Sequence, residues 1–426
     1  MRHQGRTVGS TDSRARPVEE HQEAVRALLL RSLQRRVEDR PLTAAAGRIL
    51  AETVKAPRCL PPFANSQMDG YAVRSADLAP APEGEAVELC VAEPIPAGAA
   101  APDLAPGTAA PIMTGAMLPG GADAVVPIER AVPDTFYPSG ERAGATVKLP
   151  GRVPAGQYVR TAGSDIAAGA AALAQGTRLG AAQLGLLAAL GMDRVPVIAP
   201  LRVLLLSTGD EVVEPGRSLA PGQIHDANTT LLAVSLRDAG ADVIRSRILA
   251  DSPQGFLTAL REDLARGQVD LVVTSGGISK GAYEVVRLAL EAEGVEFLPV
   301  AMQPGGPQGI GTVDGIPFLG FPGNPVSALV SFEVFLRPAL SAVTGLPVPR
   351  SIQQAVLTSD AVSPRGKMQV RRGVCTGGSV ELIGGPGSHL VHALAASNAL
   401  VLIPADTEQV MAGSEVTVWL LDQPFH

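Results

Sequence analysis

Aromatic residues make up only 3% of this 426-residue chain, so its cores must be built from Leu, Val, Ile and Ala. Cysteine is also scarce. Cys59, Cys90 and Cys375 are far apart and lack metal-type spacing, which argues against a disulfide framework or a zinc ribbon and fits reduced thiols. The formal charge of −7 leaves no basic footprint for general nucleic-acid binding. No run approaches the ~18 consecutive apolar residues of a membrane helix. Residues 1–16 carry basic and small polar side chains without an apolar stretch, which excludes a secretory signal and reads as a flexible tail. A soluble, cytoplasmic protein with neither nucleic acid nor membrane as partner is expected.

Glycine and proline, by contrast, are plentiful and spread through the chain, with 46 and 36 copies. That pattern predicts many short strands joined by tight turns. The length predicts three or four domains.

Val25, Leu28, Leu29, Leu33 and Val37 recur at three- and four-residue steps, predicting a helix over 18–37. Thr43–Glu52 reads as a shorter helix. Leu60–Arg74, LPPFANSQMDGYAVR, combines a Pro pair, Asp69-Gly70 and a strand-like Tyr71-Ala72-Val73. Taken alone, Asp69-Gly70 reads as an ordinary turn. Strand and turn signals through Val87–Lys148 predict a β-rich domain inserted over 59–150, with Thr114 closing an apolar run. Asp165 falls in a further turn, and Leu179–Leu190 reads as a helix. Residues 17–58 and 151–197 are assigned to an elongated helical and β linking domain. The first helix has the α/β domain as its alternative packing partner.

From Leu201 strands and helices alternate, which predicts a parallel sheet with helices on both faces over 198–345. Asn228 and Ser252 are read as helix caps. Asn324 is read as the cap of a long apolar helix opened by Pro325. Ligands of such sheets bind beyond the carboxyl ends of the strands. Ser207-Thr208-Gly209-Asp210-Glu211, Asp251, Gly276–Gly281 and Pro322–Pro325 all fall there. The stretch DLVVTSGGISKGAYEVVR (270–287) places Ser275, Gly276, Gly277 and Ser279 in a strand-turn-helix segment, whose free backbone N–H groups favour an anion. Residues 346–426 alternate short strands and turns and predict a small β-barrel or sandwich, with His389 as a surface loop residue.

Five separated motifs together resemble the molybdopterin molybdenumtransferase family, the MoeA type related to the gephyrin E domain. They are PPFANSQMDGYAVR, IMTGAMLPGGADAVV, STGDEV, TSGGISKGAYE and GFPGNPVSAL, and the similarity runs from about Val18 to the C-terminus. The resemblance implies a multidomain α/β fold with a molybdopterin-binding α/β domain and a C-terminal small β-barrel. It also implies a reaction in which adenylylated molybdopterin and molybdate give molybdenum cofactor and AMP, with Mg²⁺. A homodimer is implied, in which the inserted β domain of one subunit faces the parallel-sheet domain of the other. Transient contact with molybdopterin adenylyltransferase and with molybdoenzyme acceptors follows from the same reading.

Carried over by motif, Asp69, Thr114, Asp165, Glu211, Asp251 and Glu284 match positions important for activity. Glu284 keeps the carboxylate where many members have Asp. Pro322, Pro325, Ser327, Arg372 and Ser388 match positions around the pterin and molybdate, and Gly323, Asn324 and Pro307 are grouped with them. Asp210, Glu211, Asp251 and Glu284 are the candidate Mg²⁺ ligands, direct or through water. Two departures stand out. Many members carry two lysines in a KPGKP stretch where this chain has Gln303-Pro304-Gly305-Gly306-Pro307, and Ala64 replaces a common Asp. Arg372, with Arg371, Lys280 or Lys367, would then carry more of the oxyanion's charge. Three other readings are adenylyl transfer to the pterin, tungstate in place of molybdate, and a pterin carrier or scaffold without turnover.

Overall fold

A computed structural model describes residues 15–82, 85–138, 141, 143–209, 211–249, 252–279 and 284–421. The expected tail over 1–16 lies almost wholly outside these residues, as do Asp210, Asp251 and Lys280. The chain forms two compact units, one from Asp39–Val197 and one from the residues before it together with those after it.

The Asp39–Val197 unit holds a five-stranded sheet in the order Ala124–Pro127, Gly70–Val73, Thr108–Ile112, Ala86–Val91, Thr146–Pro150. Every residue of Gly70–Val73 is buried, because the strand is covered on both faces. Tyr71 and Val73 enter one apolar core while Ala72 enters another. That alternation follows from the two-residue period of a strand. Gly70 is the first residue of this strand and not the second half of a turn. A Cβ there would lie 2.0 Å from the Val126 carbonyl oxygen, so only glycine lets the neighbouring strand approach.

The same unit contains the helix Ala181–Ala189, packed through Leu187 on Leu50, Val54 and Val195. The helix expected over Thr43–Glu52 does not form. Only a single tight turn, Leu42–Ala44, is present, and Gly47 adopts φ +75°. The N–H groups of Gly47 and Leu50 donate to the carbonyls of Leu179 and Thr177. Pairing with the distant 177–179 segment replaces the i−4 bonds a helix would need, so tertiary contact overrides local propensity.

The other unit is built on a six-stranded sheet in the order Asp242–Leu249, Arg202–Thr208, Leu271–Ser275, Ile316–Phe321, Pro307–Val313, Glu296–Pro299. The first four strands are parallel and the last two antiparallel. Successive strand residues again serve two cores. Val203, Leu205 and Val273 face Leu232, Leu236, Phe332 and Phe335, whereas Leu204, Leu206 and Val272 face Phe256, Leu260, Val286 and Leu290.

Helix Val18–Ser32 belongs to the first of these layers, with Val25, Leu28 and Leu29 buried against the helical stretch that ends at Thr344. Its pattern ends at Ser32 because Leu33 is already extended, and Val37–Pro41 is a strand. Helix Pro325–Thr344 is long and apolar enough to cross a membrane, but 72% of its apolar window is buried inside the fold. It is the core helix of this layer, and Pro at its first turn fixes its start.

His21 sits 1% exposed on the first helix, edge-on to Phe335 with ring centroids 4.7 Å apart. Burial, and then the charge of Arg16, push its pKa down to about 3. A depressed imidazole pKa means that the unfolded chain binds the extra proton first. This contribution to stability is therefore full above pH ~6.5 and is lost as pH falls toward ~3, at about 1.4 kcal/mol per pH unit at most. Replacing His21 with Phe should flatten the acid limb of a Tm–pH curve over that window. An unchanged acid limb would assign the loss to other groups.

Residues after Gly345 close a five-stranded barrel: Met368–Thr376, Ser379–Leu382, Ile352–Leu357, Glu415–Leu420, Ala399–Ile403 and back to Met368–Thr376. Met302–Gln303 adds to it as a parallel edge, which joins the barrel to the α/β layer.

Candidate functional site

The parallel strands end in loops on one rim, and three of these loops line a single cavity of about 700 Å³. Strand Arg202–Thr208 contributes Ser207, Thr208, Gly209 and, beyond the turn, Glu211. Strand Leu271–Ser275 contributes Ser275, Gly276, Gly277 and Ser279, with Glu284 where the next helix starts. Strand Ile316–Phe321 leads into Gly323, Asn324 and Pro325. The fourth rim position, Asp251, is outside the described residues, and so is Asp210.

The glycines are fixed by crowding as well as by φ. Gly276 and Gly277 adopt φ +91° and +67°, and a Cβ on Gly277 would lie 2.8 Å from Thr208 Oγ1 and from Val286. The Gly276 N–H donates to the Phe321 carbonyl at 3.0 Å, so the turn offers an anion the N–H of Gly277 and the hydroxyls around it. The Glu211 carboxylate lies over Gly209, where a Cβ would come within 2.7 Å of it. Glycine there lets the carboxylate fold back over the turn.

Asn228 was missed as a site residue because its place after a strand-like Ile-His reads as a cap. The cap is Asp226, whose side chain accepts from the Thr229 N–H at 2.9 Å. Asn228 lines the cavity instead, and its Nδ2 donates to Ser275 Oγ at 2.9 Å and to the Gly323 carbonyl at 2.6 Å. It braces the glycine turn against the Pro322–Pro325 turn. Pro322 takes part through its carbonyl, which faces the Ser275 hydroxyl at 3.5 Å. Val212, Ile224 and His225, from a short two-stranded flap, also line the cavity, and so does exposed His389 of the barrel loop. Flap and loop residues of this kind carry no local sequence signal.

Other candidates lie elsewhere in the two units. Ser327 is buried one turn into the core helix, and Ser388 accepts from the Val326 N–H at 3.1 Å. Arg372 is 1% exposed and donates to the Gly385 carbonyl, while Arg371 donates to that of Gly384 at 3.1 Å. Burial lowers the pKa of both guanidinium groups, and Arg371 lowers that of Arg372 further. Pro307 lines a separate, smaller cavity.

Asp69, Thr114 and Asp165 belong to the Asp39–Val197 unit. There Asp69 Oδ1 accepts from both the backbone N–H of Thr114 at 2.7 Å and its hydroxyl at 2.9 Å. These two bonds, the backbone one foremost, hold the Asp69 carboxyl below the usual range. Residues 45 positions apart are therefore one constellation, with an ionised carboxylate exposed at its tip. Asp165 sits on a loop whose backbone bonds to Leu60.

The profile of the MoeA N-terminal region (domain I and II) matches residues 16–191, that of a probable molybdopterin binding domain matches 204–342, and that of the MoeA C-terminal region (domain IV) matches 354–421. This chain belongs to the MoeA family of molybdopterin molybdenumtransferases. Membership makes it a transferase of molybdenum cofactor biosynthesis. It is 45% identical to molybdopterin molybdenumtransferase 2 of Mycobacterium tuberculosis, over 95% of this chain and 99% of that one. It is 36% identical to molybdopterin molybdenumtransferase of Haemophilus influenzae, over 90% and 93%. The crystal structure of a molybdopterin biosynthesis MoeA protein from Pyrococcus horikoshii superposes with a TM-score of 0.82 at 31% identity, covering 96% of this chain and all of that one. The MoeA fold expected from the five motifs, closed C-terminal barrel included, is the fold observed.

Mg²⁺ asks for a narrower test. Among the described residues, no three His, Cys, Asp or Glu side chains are grouped to hold a metal ion. Three carboxylates nevertheless line the cavity: Asp226 is engaged as a helix cap, and Glu211 and Glu284 remain for an ion. Mg²⁺ is commonly held by one or two carboxylates and completed by substrate phosphates and water. The donor set fits an ion that arrives with a phosphorylated substrate and does not fit a preformed cage.

Proposed function

We propose that this MoeA chain inserts molybdenum from molybdate into adenylylated molybdopterin, with Mg²⁺-dependent release of AMP. The observation that carries this reading is one cavity, at a rim of strand ends, lined by both anion donors and carboxylates. The backbone N–H of Gly277, with the hydroxyls of Ser207, Thr208 and Ser279, suits the phosphate oxygens of the substrate, whereas the Gly276 N–H and the Ser275 hydroxyl are already turned to the carbonyls of Phe321 and Pro322. Glu211 and Glu284 cannot bind phosphate themselves, being like-charged. Glu211 and Glu284 would hold Mg²⁺, whose positive charge would offset the charge developing on departing AMP.

Asn228 keeps the two glycine-bearing turns in register, so that the donors and carboxylates stay in place when substrate arrives. Arg372, Ser327, Ser388, Pro307 and the Pro322–Pro325 turn are assigned to the pterin and oxyanion, on the family resemblance. Asp69, Thr114 and Asp165 are assigned to the same reaction in a homodimer, where the paired Asp69–Thr114 tip of one subunit would serve the rim of another.

The test is AMP release from protein loaded with adenylylated molybdopterin, with Mg²⁺ present and molybdate titrated. Release should rise with molybdate and saturate, and chelation of Mg²⁺ should stop it. Tight pterin binding with no AMP release at any molybdate concentration would replace the enzyme with a carrier. A monomer in sedimentation equilibrium at assay concentration would remove Asp69 and Thr114 from the shared-site assignment.

A further inference from the structure

The main cavity offers little positive charge to a substrate that carries phosphates. Glu211, Asp226 and Glu284 line it, and none of its described lining residues is a lysine or an arginine. The Gly277 N–H and the hydroxyls around it bring dipoles without net charge. An arginine stands one hydrogen bond from the cavity wall, on the flap. Val212–Val213 and Ile224–His225 pair in parallel, so residues 214–223 must cross between them as a loop. That loop is tied to the wall. His225 lines the cavity and donates through Nε2 to the Arg217 carbonyl at 2.9 Å, since a carbonyl can only accept. Ala220 and Gln223 hold the far side of the loop, through N–H bonds of 2.9 Å to the Gln223 side chain and 3.1 Å to the Ala220 carbonyl.

The Arg217 side chain is 72% exposed, and its ion-pair partner is Glu214 at 3.3 Å, itself 69% exposed. A pair between two such side chains is weak and screened by salt. A phosphate competes well against it, because the guanidinium fork makes two parallel charge-assisted bonds to phosphate oxygens. We infer that Arg217 is a further substrate-binding residue: its guanidinium leaves the Glu214 carboxylate and takes a phosphate of the adenylylated pterin at the flap side of the main cavity. The inference rests on the reading of this cavity proposed above, and adds to it the cation that the described walls lack. Glu214 is then a competitor that holds Arg217 in the free protein, so the two residues act on affinity with opposite signs. His225 is a positioning residue, whose bond to the Arg217 carbonyl keeps the base of that side chain beside the cavity.

The experiment titrates AMP into the full chain by calorimetry, with adenosine as the phosphate-free control, and separately measures retention of molybdopterin. Arg217→Ala should weaken AMP binding about tenfold, as loss of a charge-assisted contact does, and should make AMP affinity less sensitive to salt. Adenosine binding should not respond to the change. Arg217→Lys should recover part of the affinity, since it keeps the charge and loses the fork. Glu214→Gln should tighten AMP binding by about twofold, and that gain should vanish in the Arg217→Ala background. Both side chains are exposed on a loop, so Tm should stay unchanged in every variant. If Arg217→Ala lowers pterin retention while AMP binding holds, the guanidinium takes the pterin phosphate and not that of AMP. AMP affinity and pterin retention that neither Arg217→Ala nor Glu214→Gln alters would overturn the inference. AMP binding that depends on Arg217, in a protein that never releases AMP when given molybdate and Mg²⁺, would leave the contact standing and remove the transferase reading.

Discussion

Glu211→Gln is expected to abolish Mg²⁺-dependent AMP release while leaving the fold and pterin binding intact. The side chain is exposed at the cavity, so its replacement by an amide of the same shape removes no buried contact, and stability should move by less than about 0.5 kcal/mol. Its backbone carbonyl would still accept from the Ile224 N–H at 2.8 Å, which keeps the flap in place. What is lost is one of three described carboxylates that line the cavity, and one of the two that do not cap a helix. An amide is a poor ligand for a hard cation, and loss of a comparable electrostatic contribution costs on the order of 10² to 10³ in rate. Three readings decide the matter: AMP release against Mg²⁺, pterin retention by fluorescence, and Tm. Normal release would remove Glu211 from the metal assignment. A fall in all three would show a structural role that its exposure argues against.

The α/β core was legible because strands Arg202–Thr208 and Leu271–Ser275 run straight into glycine and two of its helices begin at a recognisable cap or proline. Ser252 accepts from the Gly255 N–H, and Pro325 opens the core helix, as read from sequence. Local signals failed where distant backbone took over. The 43–52 stretch has helical composition, but its N–H groups bond to residues 177–179. Asp69-Gly70 looked like a turn because sequence gives no sign that Val126 will crowd the glycine. The rim positions at 207–209, 211, 275–279 and 323–325 followed from the strand-end rule, since that rule needs only the order of elements. Asn228, the flap around Ile224 and the pairing of Asp69 with Thr114 depend on tertiary approach. Neither spacing nor composition encodes it.

The largest expected stability loss comes from Glu333, which takes no part in the chemistry. It lies in the wide turn Phe332–Leu336 of the core helix, its side chain 1% exposed. Arg350, two residues before the first barrel strand, grips it with two bonds of 2.7 and 2.9 Å and also donates to the Leu421 carbonyl at the end of the last strand. Arg337 approaches the same carboxylate at 3.7 Å. One buried carboxylate thus serves two guanidinium groups and fastens both ends of the barrel to the α/β layer. Glu333→Ala would remove the buried carboxylate that these two cations share, and breaking such a pair costs about 3–5 kcal/mol. Arg350 keeps 24% side-chain exposure, so water would recover part of that and place the loss near the lower bound. A Tm drop on the order of 10 °C is expected. Hydrogen exchange should rise first in Ile352–Leu357 and Glu415–Leu420, the paired strands beside the anchor. Removing Arg350 in the same chain should cost less than the sum of the single changes, because both deletions break the same ion pair. Strict additivity of the two would mean that the ion pair is incidental, and that the apolar contacts of the helix set the seat of the barrel.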